Sequence, residues 1–180
     1  MAIAHRPRVL VAEDEPQVRA VAVRALSAAG FEVFQAANGA LGLAAIRSQQ
    51  APFDVRHVEG SLFLAPDATA RAYQSAWLRV RTPIDADELT HRALLAFGCD
   101  QVMLEPLLRR HGASWATRDM AFASLDHAMW WHRQARADEW LLFVQDAPTA
   151  QGGRGLTGTW IFSEDGRLVA SASQEGMFRL

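Results

Sequence analysis

The sequence predicts an α+β protein in which an antiparallel sheet wraps one long helix, with a short strand–helix–strand–helix segment in front. Three observations support this fold class. Residues 8–47 alternate between β-branched runs and helical spacing. One long helical pattern starts near Asp85 and ends near Asp100. Short apolar strands joined by turns follow between Met120 and Gln174, and a helix followed by such a meander is typical of α+β domains.

Composition restricts the possible functions. Half of the 180 residues are hydrophobic, which is enough for a packed core. The net charge of -2 and the pI near 6.3 argue against a nucleic-acid-binding surface. Cys99 is the single cysteine, which excludes an internal disulfide and favours a reducing cytoplasm. No apolar run reaches the roughly 18–20 residues of a membrane span, and the N-terminus has a strand pattern instead of a signal peptide. A cytoplasmic protein is therefore expected.

The first 50 residues contain four predicted elements. Arg8–Ala12 is a β-branched run bounded by charge, so a buried strand is expected. Pro16 is placed to begin a helix, and Gly30 is placed to end it. Phe31–Ala36 alternates like a second strand, and Ala40–Arg47 has the spacing of a second helix.

This opening, RVLVAEDEPQVRAVAVRALSAAGFEVFQAANG, resembles the first part of a response-regulator receiver domain. The resemblance implies that Glu13 and Asp14 hold Mg²⁺ beside a phosphorylated aspartate. It ends near residue 50, because Glu59 stands where the phosphoacceptor aspartate is expected and the chain contains no lysine. Residues 1–51 are therefore expected to form an incomplete receiver-like segment without phosphotransfer.

The pattern changes at Pro52, where a strand-like segment begins, and a second strand is predicted at Ala76–Arg81. The acidic run 85–88 supplies an N-cap and first-turn acids for a helix. Asp100 lies at or near the end of that helix. A last turn is expected at Leu107–His111, and Gly112 is expected to end it. The predicted apolar face of the long helix contains five residues: Leu89, Ala93, Leu94, Ala96 and Phe97.

The remaining chain is predicted to be mostly strands. Residues 120–133 are long enough for one extended strand, bent near its Ser-Leu-Asp-His step. Residues 149–158 form a predicted glycine-rich loop, and residues 164–166 form a hairpin turn. The adjacent Trp130 and Trp131 are expected on opposite faces of their strand. His127 and His132 are interpreted as hydrogen-bonded structural residues.

Seven motifs in this region resemble the C-terminal half of acyl-CoA thioesterase II, a family of hot-dog-fold enzymes. They are HRALLAFGCD, LEPLLRRHG, ASLDHAMWWHR, DEWLLFVQ, GGRGL, DGRLVAS and QEGM. The resemblance covers residues 52–180 and implies hydrolysis of fatty acyl-CoA. It also implies that Asp100, Ser124 and Gln174 hold the attacking water.

That chemistry suits the residues themselves. Thioester hydrolysis needs a positioned water, a group that takes its proton, and donors for the oxyanion. A carboxylate, a hydroxyl and an amide supply acceptors and donors for such a water. The sequence has neither a cluster with zinc-ligand spacing nor a G-x-S-x-G motif, so we expect no metal, no cofactor and no acyl-enzyme. Arg154, among glycines, is a candidate contact for the CoA phosphates; a mobile hairpin loop is the alternative.

Enzymes of this family carry two hot-dog domains, and this chain resembles only the second. We therefore expect a homodimer in which another copy supplies the missing half. Two alternative functions stay open. One is a non-catalytic hot-dog module that binds acyl-CoA or only assembles. The other is a degenerate signalling receiver, which the missing lysine and phosphoacceptor aspartate disfavour.

Overall fold

The structure is a computed structural model that describes residues 8–37 and 52–180. The chain divides into two compact units, Met1–Ala51 and Pro52–Leu180. The first unit contains strand β1 (Arg8–Ala12), helix α1 (Pro16–Ala28) and strand β2 (Glu32–Ala36).

In the first unit, β1 and β2 pair in parallel. Glu15 caps helix α1, since its carboxylate accepts a hydrogen bond from the backbone N–H of Gln17. Gly30 follows the helix with a φ of +91°, a conformation that favours glycine. The predicted strand, helix and strand are confirmed, whereas the second helix predicted at Ala40–Arg47 lies outside the described residues.

The second unit is a seven-stranded antiparallel sheet with two helices. The strands are β3 (Phe53–His57), β4 (Tyr73–Val80), β5 (Ala121–Ser124), β6 (Ala128–Trp131), β7 (Leu141–Gln151), β8 (Arg154–Ser163) and β9 (Leu168–Arg179). Their order in the sheet is β3-β4-β7-β8-β9-β5, and β6 also pairs with β9. The helices are α2 (Glu88–Val102) and α3 (Glu105–Arg110). Glu59 follows β3, which pairs antiparallel with β4 in this sheet. The Glu59 carboxylate accepts a hydrogen bond from the backbone N–H of Ser75 in β4.

Helix α2 begins at the predicted place and packs on the main core. The main core is the larger cluster of buried apolar side chains, which includes Phe53, Leu78, Leu95, Phe143 and Ile161. The Asp87 carboxylate caps it by accepting from the backbone N–H of Thr90 at 2.9 Å. The predicted apolar face is wrong in part, because Leu89 and Phe97 are 73% and 52% exposed. The buried face instead contains His91, Leu95, Gly98, Cys99 and Val102. A Cβ atom at Gly98 would lie 2.9 Å from Phe53 Cε1, so this glycine allows the helix to lie close to β3.

Helix α3 packs on the sheet over two glycines. Gly155 of β8 and Gly176 of β9 are register partners. A Cβ atom at Gly155 would lie 2.3 Å from Leu107 Cδ2, and one at Gly176 would lie 2.5 Å from Leu104 Cδ1. The absence of side chains at this pair therefore makes room for Leu107 of α3 and for Leu104, the residue that directly precedes the helix.

Two strand predictions are corrected. The chain between residues 120 and 133 is not one continuous strand, because β5 ends at Ser124 and β6 begins at Ala128. Both short strands pair with β9, on either side of the predicted bend. Residues 149–158 are not a loop, because β7 and β8 extend through them. Only Gly152 and Gly153 form the turn, with φ values of +61° and +76°, which glycine adopts without strain.

Candidate active site

Three elements bring the predicted site residues together. Asp100 lies near the end of α2, Ser124 ends β5, and Gln174 lies on the inner face of β9. The Ser124 hydroxyl donates to Asp100 Oδ1 at 3.0 Å. The Gln174 amide nitrogen donates to the same carboxylate oxygen at 2.8 Å and to Ser124 Oγ at 2.5 Å. A carboxylate, a hydroxyl and an amide from distant parts of the chain thus form one hydrogen-bonded cluster.

The cluster is buried on one side and open on the other. Gln174 has no solvent exposure, whereas Asp100 and Ser124 are exposed. Both hydrogen bonds to the carboxylate fall on Oδ1. Oδ2 therefore keeps its lone pairs for a water or a substrate that approaches from the open side.

The turn between β5 and β6 is fastened to β9. The backbone N–H of Leu125 donates to the carbonyl of Glu175 at 2.9 Å. In return, Asp126 Oδ1 accepts from the backbone N–H of Glu175 at 2.7 Å. These reciprocal bonds bring Ser124 and His127 to the two sides of Gln174, since Glu175 is the next residue along β9.

His127 is a further contact of the cluster. Its Nδ1 lies 2.9 Å from Oε1 of Gln174. The predicted hydrogen-bonding role of both histidines is confirmed, because His132 Nε2 also lies 3.0 Å from Ser171 Oγ. Sequence patterns do not predict Gln174 as the partner of His127. The only sequence signal for this contact is the Asp-His step after Ser124, because Asp126 bonds to Glu175 and so holds the start of β6 against β9.

The two tryptophans differ in burial as expected for opposite strand faces. Trp130 is 54% exposed. Trp131 is half-buried and packs against the main core, with the guanidinium carbon of Arg92 5.7 Å from its ring centroid. The exposed ring of Trp130 lies on the outer face of the sheet, in the same cross-strand row as Trp160.

Arg154 is the first residue of β8 and lies beside the Gly152–Gly153 turn. Its Nη1 atom lies 3.3 Å from the carboxylate of Glu175, and its side chain is 64% exposed. An exposed pair of this kind contributes little to stability. Because the guanidinium is exposed, it is accessible to a phosphate. It lies beside Glu175, the residue that follows Gln174 in β9.

A buried polar network holds the end of α2 that carries Asp100. The Glu105 carboxylate lies 2.6 Å from His57 Nε2 and accepts from the Gln74 amide and the Trp115 indole, each at 2.8 Å. Gln74 Nε2 also lies 3.2 Å from the carbonyl of Val102, the last residue of α2.

Two buried groups in and near this network have shifted pKa values. Burial alone would raise the pKa of Glu105, but the hydrogen bond and electrostatic attraction of His57, together with the hydrogen bonds from Trp115 and Gln74, outweigh burial and lower it. Burial raises the pKa of the Cys99 thiol to about 12. Cys99 therefore stays a protonated thiol in the core and is a poor nucleophile.

Within residues 8–37 and 52–180, no three His, Cys, Asp or Glu side chains are grouped so that they could hold a metal ion. No helix in the same ranges has the length and apolarity needed to cross a membrane.

Comparison with solved structures defines the class of fold. The chain is similar to an acyl-CoA thioesterase II, TesB2, from Mycobacterium marinum, with 42% identity and a TM-score of 0.61; the similarity covers 73% of this chain and 50% of that one. It also resembles a hot-dog protein of unknown function from Alicyclobacillus acidocaldarius, with 21% identity, a TM-score of 0.56 and coverage of 72% and 46%. The chain has the predicted hot-dog fold, with an antiparallel sheet and a helix.

Sequence comparison gives the family. The acyl-CoA thioesterase C-terminal domain family matches residues 29–178. Acyl-coenzyme A thioesterase 8 of Mus musculus is 33% identical over 141 residues, which are 78% of this chain and 43% of that protein. Acyl-CoA thioesterase 2 of Haemophilus influenzae is 33% identical over 108 residues, 60% of this chain and 38% of that protein. The chain belongs to the acyl-CoA thioesterase C-terminal domain family.

The chain spans less than half the length of these curated relatives. The family match begins at residue 29, inside the segment that resembles a receiver. The receiver resemblance of residues 1–50 stays a prediction.

Proposed function

We propose that the protein hydrolyses fatty acyl-CoA to a free fatty acid and CoA, using a water molecule held by Asp100, Ser124 and Gln174. The observation that carries this proposal is their hydrogen-bonded cluster, in a chain of an acyl-CoA thioesterase family. In this proposal, residues 52–180 form the thioesterase domain and residues 1–51 a separate segment.

The proposed reaction needs one general base and no acyl-enzyme intermediate. The water oxygen attacks the thioester carbonyl carbon while Asp100 Oδ2 takes one of the water's protons. The new C–O bond gives a tetrahedral oxyanion. Its collapse breaks the C–S bond and releases the CoA thiolate, which takes up the proton. The products are the fatty acid and CoA, and Asp100 returns to its carboxylate form.

Ser124 and Gln174 orient the water in this scheme. The single hydroxyl hydrogen of Ser124 is donated to Asp100, so Ser124 Oγ can orient the water by accepting a hydrogen bond from it. The Gln174 amide nitrogen holds the serine and the carboxylate in a fixed arrangement, at 2.5 and 2.8 Å. Because Gln174 is fully buried, this arrangement is anchored on the sheet while the attacking water enters from the exposed side.

A homodimer is part of the proposal, with a second copy supplying another hot-dog body. Leu89, Ala93, Phe97 and Asp100 follow one another at helical spacing along an exposed face of α2. This apolar stripe leads directly to the carboxylate. Leu125, in the turn beside Ser124, is 50% exposed as well. A second copy on this surface would bury the stripe and enclose the open side of the site.

Turnover tests the catalytic proposal. Release of free CoA from acyl-CoAs of different chain lengths is measured for the wild type, Asp100→Asn and the control Asp119→Asn. Asp119 is an exposed aspartate with a φ of +60°, a conformation that asparagine also adopts. Hydrolysis by the wild type and the control, with a strong loss in Asp100→Asn, supports the proposal. Absence of hydrolysis by the folded wild type rejects it.

A non-catalytic module is the second candidate, favoured by the exposure of Asp100 and Ser124. It predicts saturable acyl-CoA binding by calorimetry without release of CoA. Light scattering after size-exclusion chromatography tests the dimer independently. A well-folded monomer at all concentrations would contradict the dimer, whereas Leu89→Glu and Phe97→Glu are expected to weaken a real one.

A further inference from the structure

His127 contacts the cluster, and the proposed mechanism gives it no task. Its Nδ1 atom lies 2.9 Å from Gln174 Oε1, which is buried in the sheet. An amide oxygen only accepts hydrogen bonds, so the histidine Nδ1 carries the hydrogen and donates. The hydrogen bond therefore has a defined direction, from the exposed turn to the buried glutamine.

The direction of this bond matters because the Gln174 amide can occupy its position in two orientations. In the observed one, Nε2 faces two oxygens, Asp100 Oδ1 and Ser124 Oγ. In the flipped one, Oε1 would face the Asp100 carboxylate, which has no hydrogen to donate. The flipped amide would also turn its nitrogen towards His127 Nδ1. A donor at residue 127 and an acceptor at residue 100 favour the same orientation.

We propose that His127 is a positioning residue that fixes the Gln174 amide with its nitrogen towards Asp100 and Ser124. This inference rests on the proposed function for its effect on catalysis, but the hydrogen bond can be observed without turnover. With the amide fixed, Ser124 accepts from Gln174 and donates to Asp100, so the direction of each hydrogen bond around the water is set before substrate arrives.

The backbone of the turn supports this role. Asp126 accepts from the backbone N–H of Glu175, and Leu125 donates to the carbonyl of the same residue. His127 is thereby tied to the residue next to Gln174, although its own side chain is exposed. A rigid turn holds the donor at a constant distance from the amide, which an exposed side chain on a free loop would not do.

The tautomer of His127 tests the inference without any activity. Nitrogen-15 chemical shifts of the labelled protein, recorded where the ring is neutral and assigned by loss of the signals in His127→Asn, report which nitrogen carries the hydrogen. The proposal expects the Nδ1–H tautomer. A neutral ring protonated at Nε2 alone would overturn it, whether or not the protein hydrolyses acyl-CoA.

Kinetics then test the effect on the reaction through two matched variants. Asparagine has its amide nitrogen the same number of bonds from Cα as histidine Nδ1, so His127→Asn keeps a donor. Aspartate has the same shape but only acceptors, and leucine has neither. We expect kcat to stay within about 3-fold in His127→Asn, and to fall about 10- to 100-fold in His127→Asp and His127→Leu with little change in KM.

His132→Leu is the control, because it removes the other histidine that bonds β9 from the same stretch, through Ser171. Thermal unfolding of every variant separates loss of fold from loss of positioning. Equal kcat in His127→Leu and wild type would overturn the proposal. So would an equal loss in the asparagine and aspartate variants at unchanged thermal stability. If the wild type has no turnover, the proposed function fails and the tautomer decides the hydrogen bond alone.

Discussion

Gly176→Ala tests the packing that places helix α3 and the active-site strand. Gly176 faces Leu104, its register partner on β8 is Gly155, and its register partner on β5 is Ser124. An added Cβ would lie 2.5 Å from Leu104 Cδ1, 2.9 Å from Leu104 Cδ2 and 3.3 Å from the carbonyl oxygen of Ala123. The added methyl group would therefore clash with Leu104, which directly precedes α3, and with the backbone beside Ser124.

The expected cost follows from these distances. Two carbons in contact lie about 3.5–4.0 Å apart, so the new methyl is about 1 Å too close to the leucine. Leu104 is buried and has little room to change its rotamer. Overpacking of this kind costs about 1–3 kcal/mol. Replacing glycine also reduces the entropy of the unfolded chain, which offsets about 0.4–1 kcal/mol. We expect a net loss of about 1–2 kcal/mol, or about 2–8 °C in Tm for a chain of this length.

The assay is urea unfolding and thermal unfolding of Gly176→Ala beside Gly158→Ala. Gly158 lies on β8, and its added Cβ would meet Asp146 Oδ1 at 2.9 Å, the end of a flexible side chain. This control has the same entropic gain without the clash in the core, so its stability is expected to stay within about 0.5 kcal/mol of the wild type. A Gly176→Ala variant as stable as the control would refute the account of the α3 packing.

Two further predictions concern buried groups. Because the pKa of Glu105 is lower in the folded protein than in the unfolded chain, its ionised carboxylate increases the free energy of unfolding. This contribution is fully present above about pH 4.3, the ordinary pKa of glutamate. It is lost as the pH falls through the lower pKa of the folded state. Urea unfolding from pH 7 to pH 3 measures it: Glu105→Gln is expected to flatten this dependence, and an unchanged curve would contradict the role of Glu105. Cys99, with no exposure and a pKa of about 12, is expected to resist iodoacetamide at pH 8 in the native protein and to react once urea unfolds it. Rapid native labelling, followed by mass spectrometry, would contradict the core position of the thiol.

Sequence patterns predicted the elements well where periodicity and end signals agreed. The N-cap at Asp87, the strand β1 and the hairpin at residues 164–166 all follow from short-range rules for caps, buried runs and turns. The grouping of Asp100, Ser124 and Gln174 could be expected only from the family resemblance, because residues this far apart in the chain carry no local signal of contact.

The features that sequence reasoning missed depend on tertiary contacts. The buried face of α2 includes His91 and Gly98, residues that an apolar count leaves out. The predicted loop at residues 149–158 includes Gly155, but this glycine pairs within β8 and has Leu107 packed over it. His127 reaches Gln174 because the Asp126 turn lies against β9, a long-range contact that no local pattern predicts.

The most direct measurement of the central claim is the ratio of kcat/KM between Asp100→Asn and Asp119→Asn with a fatty acyl-CoA substrate. Both changes replace an exposed carboxylate by the isosteric amide, and only the first removes the proposed base of the cluster. Loss of a general base costs about 10²- to 10⁴-fold, so the account predicts a ratio of about 0.01 or lower. A ratio near 1 would contradict the assignment of Asp100 as the group that activates the water.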